Sequence, residues 1–178
     1  HPIGRTLAEL AEVMDLQVDS FAGQGVPIHV AESLMQERIG EVGRSVHAAN
    51  HYREIDAARL LGLNLMNIHT LTDNLVQEFL TDFFKKKKLE TVGDVVDALL
   101  ELPEYQEARR RSSGPQITSG RAGNRAGKVY VDMTGGTNPS EKIFQELSKA
   151  GISTIVGMHL NEKSFAEAKG AFLNIIIA

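Results

Sequence analysis

The stretch that decides the fold is KVYVDMTGGTNPSEKIFQELSKAGISTIVGMHLNEKSFAEAKGAFLNIIIA, residues 128–178. Its three short apolar segments predict strands at 128–133, 152–156 and 173–178. Asn138 is a predicted N-cap with Pro139 in the first helical position, and Asn161 starts a second helix that runs to Lys169. Strands that alternate with helices in this way pair in parallel through right-handed crossovers. The pattern therefore predicts an α/β protein with a mostly parallel sheet and a C-terminal βαβαβ unit.

The rest of the chain is mainly helical in its periodicity. Apolar residues at helical spacing predict helices at 5–21, 27–46, 52–61 and 91–102. The segment LNLMNI, residues 63–68, is short and apolar and follows Gly62, so it predicts a buried strand. Asp73 or Asn74 would cap the helix after it, and the predicted inward residues of that helix are Leu75, Val76, Phe79, Leu80 and Phe83.

Composition shifts divide the chain into three parts. Gly, Ser and Arg dominate residues 109–127 and no periodicity survives there, which indicates a linker or mobile loop. Residues 1–108 then form an α/β part with a helical insertion at about 5–62, and residues 128–178 form the C-terminal part. Because the chain begins with His1 rather than Met and ends inside an apolar run, we expect it to be a segment of a longer protein.

Bulk composition excludes several classes of function. The 178 residues are 42% hydrophobic and 24% charged, as in an ordinary globular protein, and the absence of cysteine excludes disulfides and thiolate chemistry. The net charge of −4 gives no general attraction for nucleic acid, and the basic runs at 85–88 and 109–111 are typical of solvated helix ends. No segment is long and apolar enough for a membrane helix, so we expect a cytoplasmic protein.

The pair His69 and Asp73 is the strongest candidate for chemistry. Both residues follow the predicted strand at 63–68, and parallel sheets bind their ligands beyond the carboxyl ends of strands. Imidazole and carboxylate together suit Zn, Mn or Fe. The alternative interpretation is that Asp73 is only a helix cap and His69 is only the end of a strand.

Other residues offer weaker signals. His159 follows the predicted strand at 152–156 and could contact a metal or a substrate, whereas the His-x-x-Glu pairs at 29/32 and 51/54 suit surface hydrogen bonds and His47 suits a structural role. The turn at Thr134, Gly135 and Gly136 precedes a predicted helix, and its backbone N–H groups could bind a phosphate. It could equally be a tight turn without a ligand.

Three stretches together resemble the Nif-three-like dinuclear metal-centre family, some members of which are described as type 2 GTP cyclohydrolase I homologues. They are His-Pro at the start of the chain, IHTLTD at 68–73 and the segment at 129–178. His1 resembles the second histidine of the family's His-His-Pro motif, and Asp73 stands at its metal-binding aspartate. Gly135 and Gly136 match its Gly-rich turn. The first histidine of His-His-Pro and the final His/acid pair of the family have no counterpart between residues 1 and 178.

The resemblance implies a function and an assembly. His1 and Asp73 would bind directly to a centre of two divalent ions (Zn, Fe or Mn), and His69 would be a ligand or would orient one. His159 would act in proton transfer or substrate contact. The family suggests metal-assisted hydrolysis of a nucleotide-like or phosphorylated small molecule, and a ring-shaped homohexamer. The alternative function is a non-catalytic binding or scaffold module that holds a phosphate-bearing ligand or a partner protein at the Gly-rich turn.

Overall fold

The computed structural model describes residues 7–46, 53–66, 68–133 and 138–178. For residues 7–13 and 45–46 the description is limited to the helical backbone. Within these ranges the elements are α1 (Leu7–Gly23), α2 (Ile28–Val46), α3 (Arg53–Leu61), α4 (His69–Lys85), α5 (Val92–Leu99), α6 (Pro103–Arg110), β1 (Gln116–Ser119), β2 (Lys128–Asp132), α7 (Ile143–Lys149), β3 (Ile152–Gly157), α8 (Glu162–Gly170) and β4 (Asn174–Ile177). None of the described helices has the length and apolar character needed to cross a lipid bilayer.

The four described strands form one sheet in the order β1-β4-β3-β2. The pairs β2–β3 and β3–β4 are parallel, and β1 joins β4 in the antiparallel direction. The helices α7 and α8 connect the parallel strands, which confirms the predicted βαβαβ unit and the mostly parallel α/β sheet. The carboxyl ends of β2 and β3 therefore lie side by side, since Asp132 pairs with Gly157.

Helices cover both faces of this sheet, because successive side chains along a strand point to opposite faces. Tyr130 and Ile155 belong to a core with α1, α2, α7 and α8. Val131 and Val156 belong to a second core with α4 and α5. The fold is thus a three-layer sandwich in which α1 and α4 lie on opposite faces beside β2, an edge strand of the sheet.

Local capping signals explain where several helices begin. Thr91 and Asp94 form a reciprocal capping box at the start of α5, with the Thr91 hydroxyl accepting from the Asp94 N–H at 3.2 Å. Asn161 caps α8 by accepting from the Ser164 N–H at 2.9 Å, as predicted. The helix expected from Asn138 and Pro139 begins later, at Ile143, and residues 138–140 are irregular.

The predicted buried strand at 63–68 is wrong. Residues 63–66 have no regular secondary structure, and Leu63, Leu65, Met66 and Ile68 are 46–80% exposed. A strand needs a neighbour to pair its backbone groups, and among the described residues none pairs with this segment. The prediction relied on apolar character alone, and in the described part of the chain these side chains are exposed.

The prediction for α4 also needs correction. The helix begins at His69, so Asp73 and Asn74 are inside it and do not cap it. Leu80 is buried and Phe83 is partly buried against the second core, but Leu75, Val76 and Phe79 are 41–55% exposed. Phe84 is buried as well, so only the second half of α4 packs inward.

The interpretation of residues 109–127 as a linker is wrong for part of the segment. Residues 116–119 form β1, which pairs with β4 and completes one edge of the sheet. Its Ile117 side chain packs partly against the second core. The strand is short and rich in polar residues, which is typical of a sheet edge and explains why no apolar periodicity marked it.

Candidate metal centre

The side chains of His69 and Asp73 meet on one face of α4. They are four residues apart in the helix, and the distance from His69 Nε2 to Asp73 Oδ2 is 3.2 Å. The carboxylate is largely shielded, with 13% of the side chain exposed, whereas the imidazole is 61% exposed. The predicted pair is therefore brought together, but by helical spacing and not by the end of a strand.

The separation of these two atoms fits a shared cation. With zinc bonds of about 2.1 Å to nitrogen and oxygen, two donors 3.2 Å apart subtend an angle of about 100° at the metal, between octahedral and tetrahedral values. The imidazole and carboxylate also match the donors that Zn, Mn and Fe(II) take. Among the described residues, no group of three or more His, Cys, Asp or Glu side chains could hold an ion. The pair can thus supply two ligands of a larger set.

Gln77 fixes α4 against the carboxyl end of β2. Its Oε1 accepts the backbone N–H of Met133 at 2.9 Å, and its Nε2 donates to Ser20 Oγ of α1 at 3.0 Å. Ser20 Oγ in turn lies 3.1 Å from the buried Tyr130 hydroxyl. This chain of hydrogen bonds joins two helices and the edge strand. Since Gln77 follows Asp73 by one helical turn, the metal-capable pair lies about one turn from the strand end.

Asp132 and His159 lie at the carboxyl ends of adjacent parallel strands. Asp132 is the last residue of β2, and His159 is an exposed residue two positions after the end of β3. Burial raises the pKa of the Asp132 carboxyl to about 6, and the electrostatic influence of His159 offsets part of that rise. Asp132 can therefore carry or release a proton close to neutral pH. A carboxylate at the end of an otherwise apolar strand was the signal for this residue in the sequence, and it was missed.

A cavity of about 450 Å³ opens between α1 and α4 along the edge of β2. Ser20, Asn74, Gln77 and Tyr130 line it with hydroxyl and amide groups, and Asp19, Glu78 and Asp82 add carboxylates. Lys85 is paired with Asp82 at 2.9 Å, whereas Asp19 and Glu78 form no ion pair with the described residues. Phosphate groups would be repelled from this wall, and polar uncharged groups would be accommodated.

The remaining predicted site residues have different outcomes. His1, Thr134, Gly135 and Gly136 lie outside the described residues, as do His47 and His51. His29 and Glu32 are exposed in the first turns of α2, as expected for surface residues. The basic runs at 85–88 and 109–111 form exposed ion pairs with Asp82, Glu90, Glu101 and Glu107, which agrees with their interpretation as solvated charges.

Comparison with known proteins supports the fold. The chain matches no family model and no curated protein. Among solved structures, it is similar to the NIF3 superfamily protein from Sphaerobacter thermophilus, with a TM-score of 0.77 and 23% sequence identity. The match covers 94% of this chain and 62% of the Sphaerobacter chain. The chain thus has the fold that the sequence resemblance implied. It spans somewhat less than two thirds of the length of the Sphaerobacter protein.

Proposed function

We propose that this chain is part of a Nif-three-like protein that binds two divalent metal ions and hydrolyses a small molecule. The observation that carries the proposal is the convergence of His69 Nε2 and Asp73 Oδ2 at 3.2 Å on a helix beside the carboxyl end of β2. His69 and Asp73 would be ligands, and His1 would be the third. The fold of the Sphaerobacter protein adds independent support, because its superfamily is the one that the motifs resemble.

Each residue has a role that follows from its chemistry. A bound divalent ion supplies an acidified water and stabilises negative charge on an oxygen. Asp73 contributes its shielded carboxylate, and His69 contributes an exposed imidazole that can reach solvent or substrate. Burial raises the pKa of Asp132 to about 6, so this carboxyl at the end of β2 would exchange a proton with a bound substrate close to neutral pH.

The proposed substrate is a nucleotide-like or phosphorylated small molecule. Its phosphate would bind the Gly-rich turn at Thr134, Gly135 and Gly136, which follows β2 directly in the sequence. The rest of the substrate would bind separately from the phosphate, in the cavity between α1 and α4. Its volume of about 450 Å³ suits a polar organic moiety, while the carboxylates of Asp19 and Glu78 keep the phosphate away.

A non-catalytic module is the alternative. It is favoured by the observation that only two metal-capable side chains converge among the described residues. In that case His69 and Asp73 would form an ordinary ion pair within α4, and the Gly-rich turn would hold a phosphate-bearing ligand or a partner protein.

We also propose that the chain forms a homo-oligomer, namely the homohexamer that the resemblance implies. We propose the cytoplasm as its location. An apolar surface on α3, α4 and the segment between them supports self-association. Its ten large side chains are 41–88% exposed: Leu60, Leu61, Leu63, Leu65, Met66, Ile68, Leu71, Leu75, Val76 and Phe79. A standard protein–protein interface buries about 800 Å² per partner, and exposed apolar side chains of this kind would supply part of it. A second copy of the same surface would cover these side chains by symmetric packing.

Native mass spectrometry and light scattering test the assembly. We expect an oligomer for the unmodified chain and a shift toward the monomer for Leu75→Glu, because the substitution places a charge among the exposed apolar side chains. Glu78→Lys, on the same helix but outside that surface, is the matched control. A monomeric unmodified chain at tens of micromolar would contradict the proposed interface.

Metal analysis tests the proposed centre. The purified chain is loaded with zinc or manganese, dialysed and measured by inductively coupled plasma mass spectrometry. We expect retained metal in the unmodified chain and loss of most of it in Asp73→Ala. Asp82→Ala removes an exposed aspartate from the same helix and should retain metal. Equal retention by Asp73→Ala and the unmodified chain would support the binding-module alternative.

A further inference from the structure

The two halves of α4 are held to the protein in different ways. Leu80 and Phe84, in the second half, are 1% and 8% exposed and pack into the core. The first half carries His69 and Asp73, but its large apolar side chains face solvent. Hydrophobic burial therefore fixes the end of the helix that is distant from the metal-capable pair.

Gln77 attaches α4 to the protein at a point closer to His69 and Asp73. It lies one turn before Leu80 and one turn after Asp73, so His69, Asp73 and Gln77 share one helical face. Its Oε1 accepts the N–H of Met133, the residue directly after the end of β2, at 2.9 Å. A backbone N–H at a partly buried strand edge needs an acceptor, so this contact is costly to break.

We infer that Gln77 is a positioning residue: its hydrogen bond to the Met133 N–H sets the place of Asp73 and His69 beside the carboxyl end of β2. The inference rests on the proposed metal-binding function and adds a residue that acts on the metal site through the placing of its ligands. The bond to Ser20 has a different consequence, because it joins α4 to α1 across the cavity and does not reach the strand end.

Three substitutions separate these contacts. Gln77→Met keeps the length of the side chain and removes the hydrogen bonds to Met133 and Ser20. Gln77→Glu restores an acceptor for the Met133 N–H. Ser20→Ala removes the bond to α1 and leaves the bond to Met133. Gln106→Met, an exposed glutamine of α6, controls for the loss of an amide elsewhere.

Zinc affinity is measured by competition with a chelator of known affinity, on chains whose circular dichroism and cooperative unfolding match the unmodified chain. We expect Gln77→Met to weaken zinc binding about tenfold, as the loss of partners that orient metal ligands does. Gln77→Glu should return to within about threefold of the unmodified chain, and Ser20→Ala and Gln106→Met should not change the affinity.

Several results would overturn the inference. The first is an unchanged zinc affinity in Gln77→Met, and the second is a loss of zinc affinity in Ser20→Ala equal to that in Gln77→Met. The third is a zinc affinity in Gln77→Glu well above that of the unmodified chain, which would indicate that the new carboxylate binds the metal directly. A purely stabilising role would change unfolding without changing the zinc affinity of the folded chain.

Hydrogen exchange of the metal-free chain separates this inference from the proposed function. We expect Gln77→Met to lose amide protection at residues 72–76 relative to residues 80–84, because the first half of α4 is no longer fixed. If the unmodified chain binds no zinc, the proposed function fails. Unchanged protection in Gln77→Met would show that the glutamine does not position this half of the helix.

Discussion

Replacing Asp132 by asparagine should change the dependence of stability on pH in a defined direction. Burial raises the pKa of this carboxyl to about 6 in the folded chain, against an ordinary value of 3.8. The folded state therefore binds the proton more tightly than the unfolded state. The contribution of this group favours folding at low pH and is lost as the pH rises through about 6, because the half-buried carboxylate must then carry its charge.

The magnitude follows from the two pKa values. Linkage predicts that ionisation of Asp132 costs about 3 kcal/mol of unfolding free energy well above pH 6, of which about 2 kcal/mol is lost between about pH 4.5 and about pH 7.5. The asparagine side chain cannot ionise, so the variant should lack this decline. The other shifted carboxyls, Glu41, Glu54, Asp82 and Asp94, remain in both chains and cancel in the difference.

Urea denaturation of both chains at a series of pH values measures this difference. We expect the stability of the Asp132→Asn variant relative to the unmodified chain to increase with pH and to level off above about pH 7. Asp97→Asn, an exposed aspartate of α5, is the matched control and should show a constant difference. A constant difference for Asp132→Asn as well, or one that decreases with pH, would refute the reasoning from burial.

Two further predictions concern local structure. Thr91→Ala removes the hydroxyl that accepts from the Asp94 N–H and should lower the free energy of unfolding by about 1 kcal/mol, measured by urea denaturation. Gly120→Ala should cost more, about 2 kcal/mol or above, because Gly120 has a φ of +89° and a new Cβ would lie 2.2 Å from the Asn174 Oδ1. Gly123→Ala meets no atom within 4 Å and serves as its control, and equal melting temperatures for the two alanine variants would contradict the clash.

Periodic patterns in the sequence predicted the βαβαβ unit at residues 128–178 well. The strands β2, β3 and β4 are strongly apolar because both of their faces are buried, and parallel strands of this kind give a clear signal. The caps Thr91 and Asn161 act through local hydrogen bonds that depend on a few neighbouring residues, so sequence alone is sufficient to find their helices.

The failures share a physical cause, which is dependence on distant partners. The apolar segment at 63–66 was predicted as a strand, but a strand is stable only with a pairing neighbour. β1 was missed because its pairing with β4 depends on residues almost sixty positions away. The link from Gln77 to Met133 spans 56 residues and leaves no local trace in the sequence.

For the candidate site, residue types were predictable and geometry was not. His69 and Asp73 were identified from their chemistry and spacing, yet they were assigned to a strand end and a helix cap. Their meeting at 3.2 Å follows from a helix that begins at His69. Asp132 was missed although its carboxylate ends an apolar strand, because its raised pKa depends on burial in the folded chain.

Anomalous X-ray diffraction from crystals loaded with zinc tests the proposed centre most directly. We expect an anomalous peak within about 2.3 Å of both His69 Nε2 and Asp73 Oδ2, with at least one further protein ligand. A crystal that shows no zinc near these two atoms, while the imidazole and the carboxylate remain in direct contact, would contradict this expectation and leave the pair as an ion pair of α4.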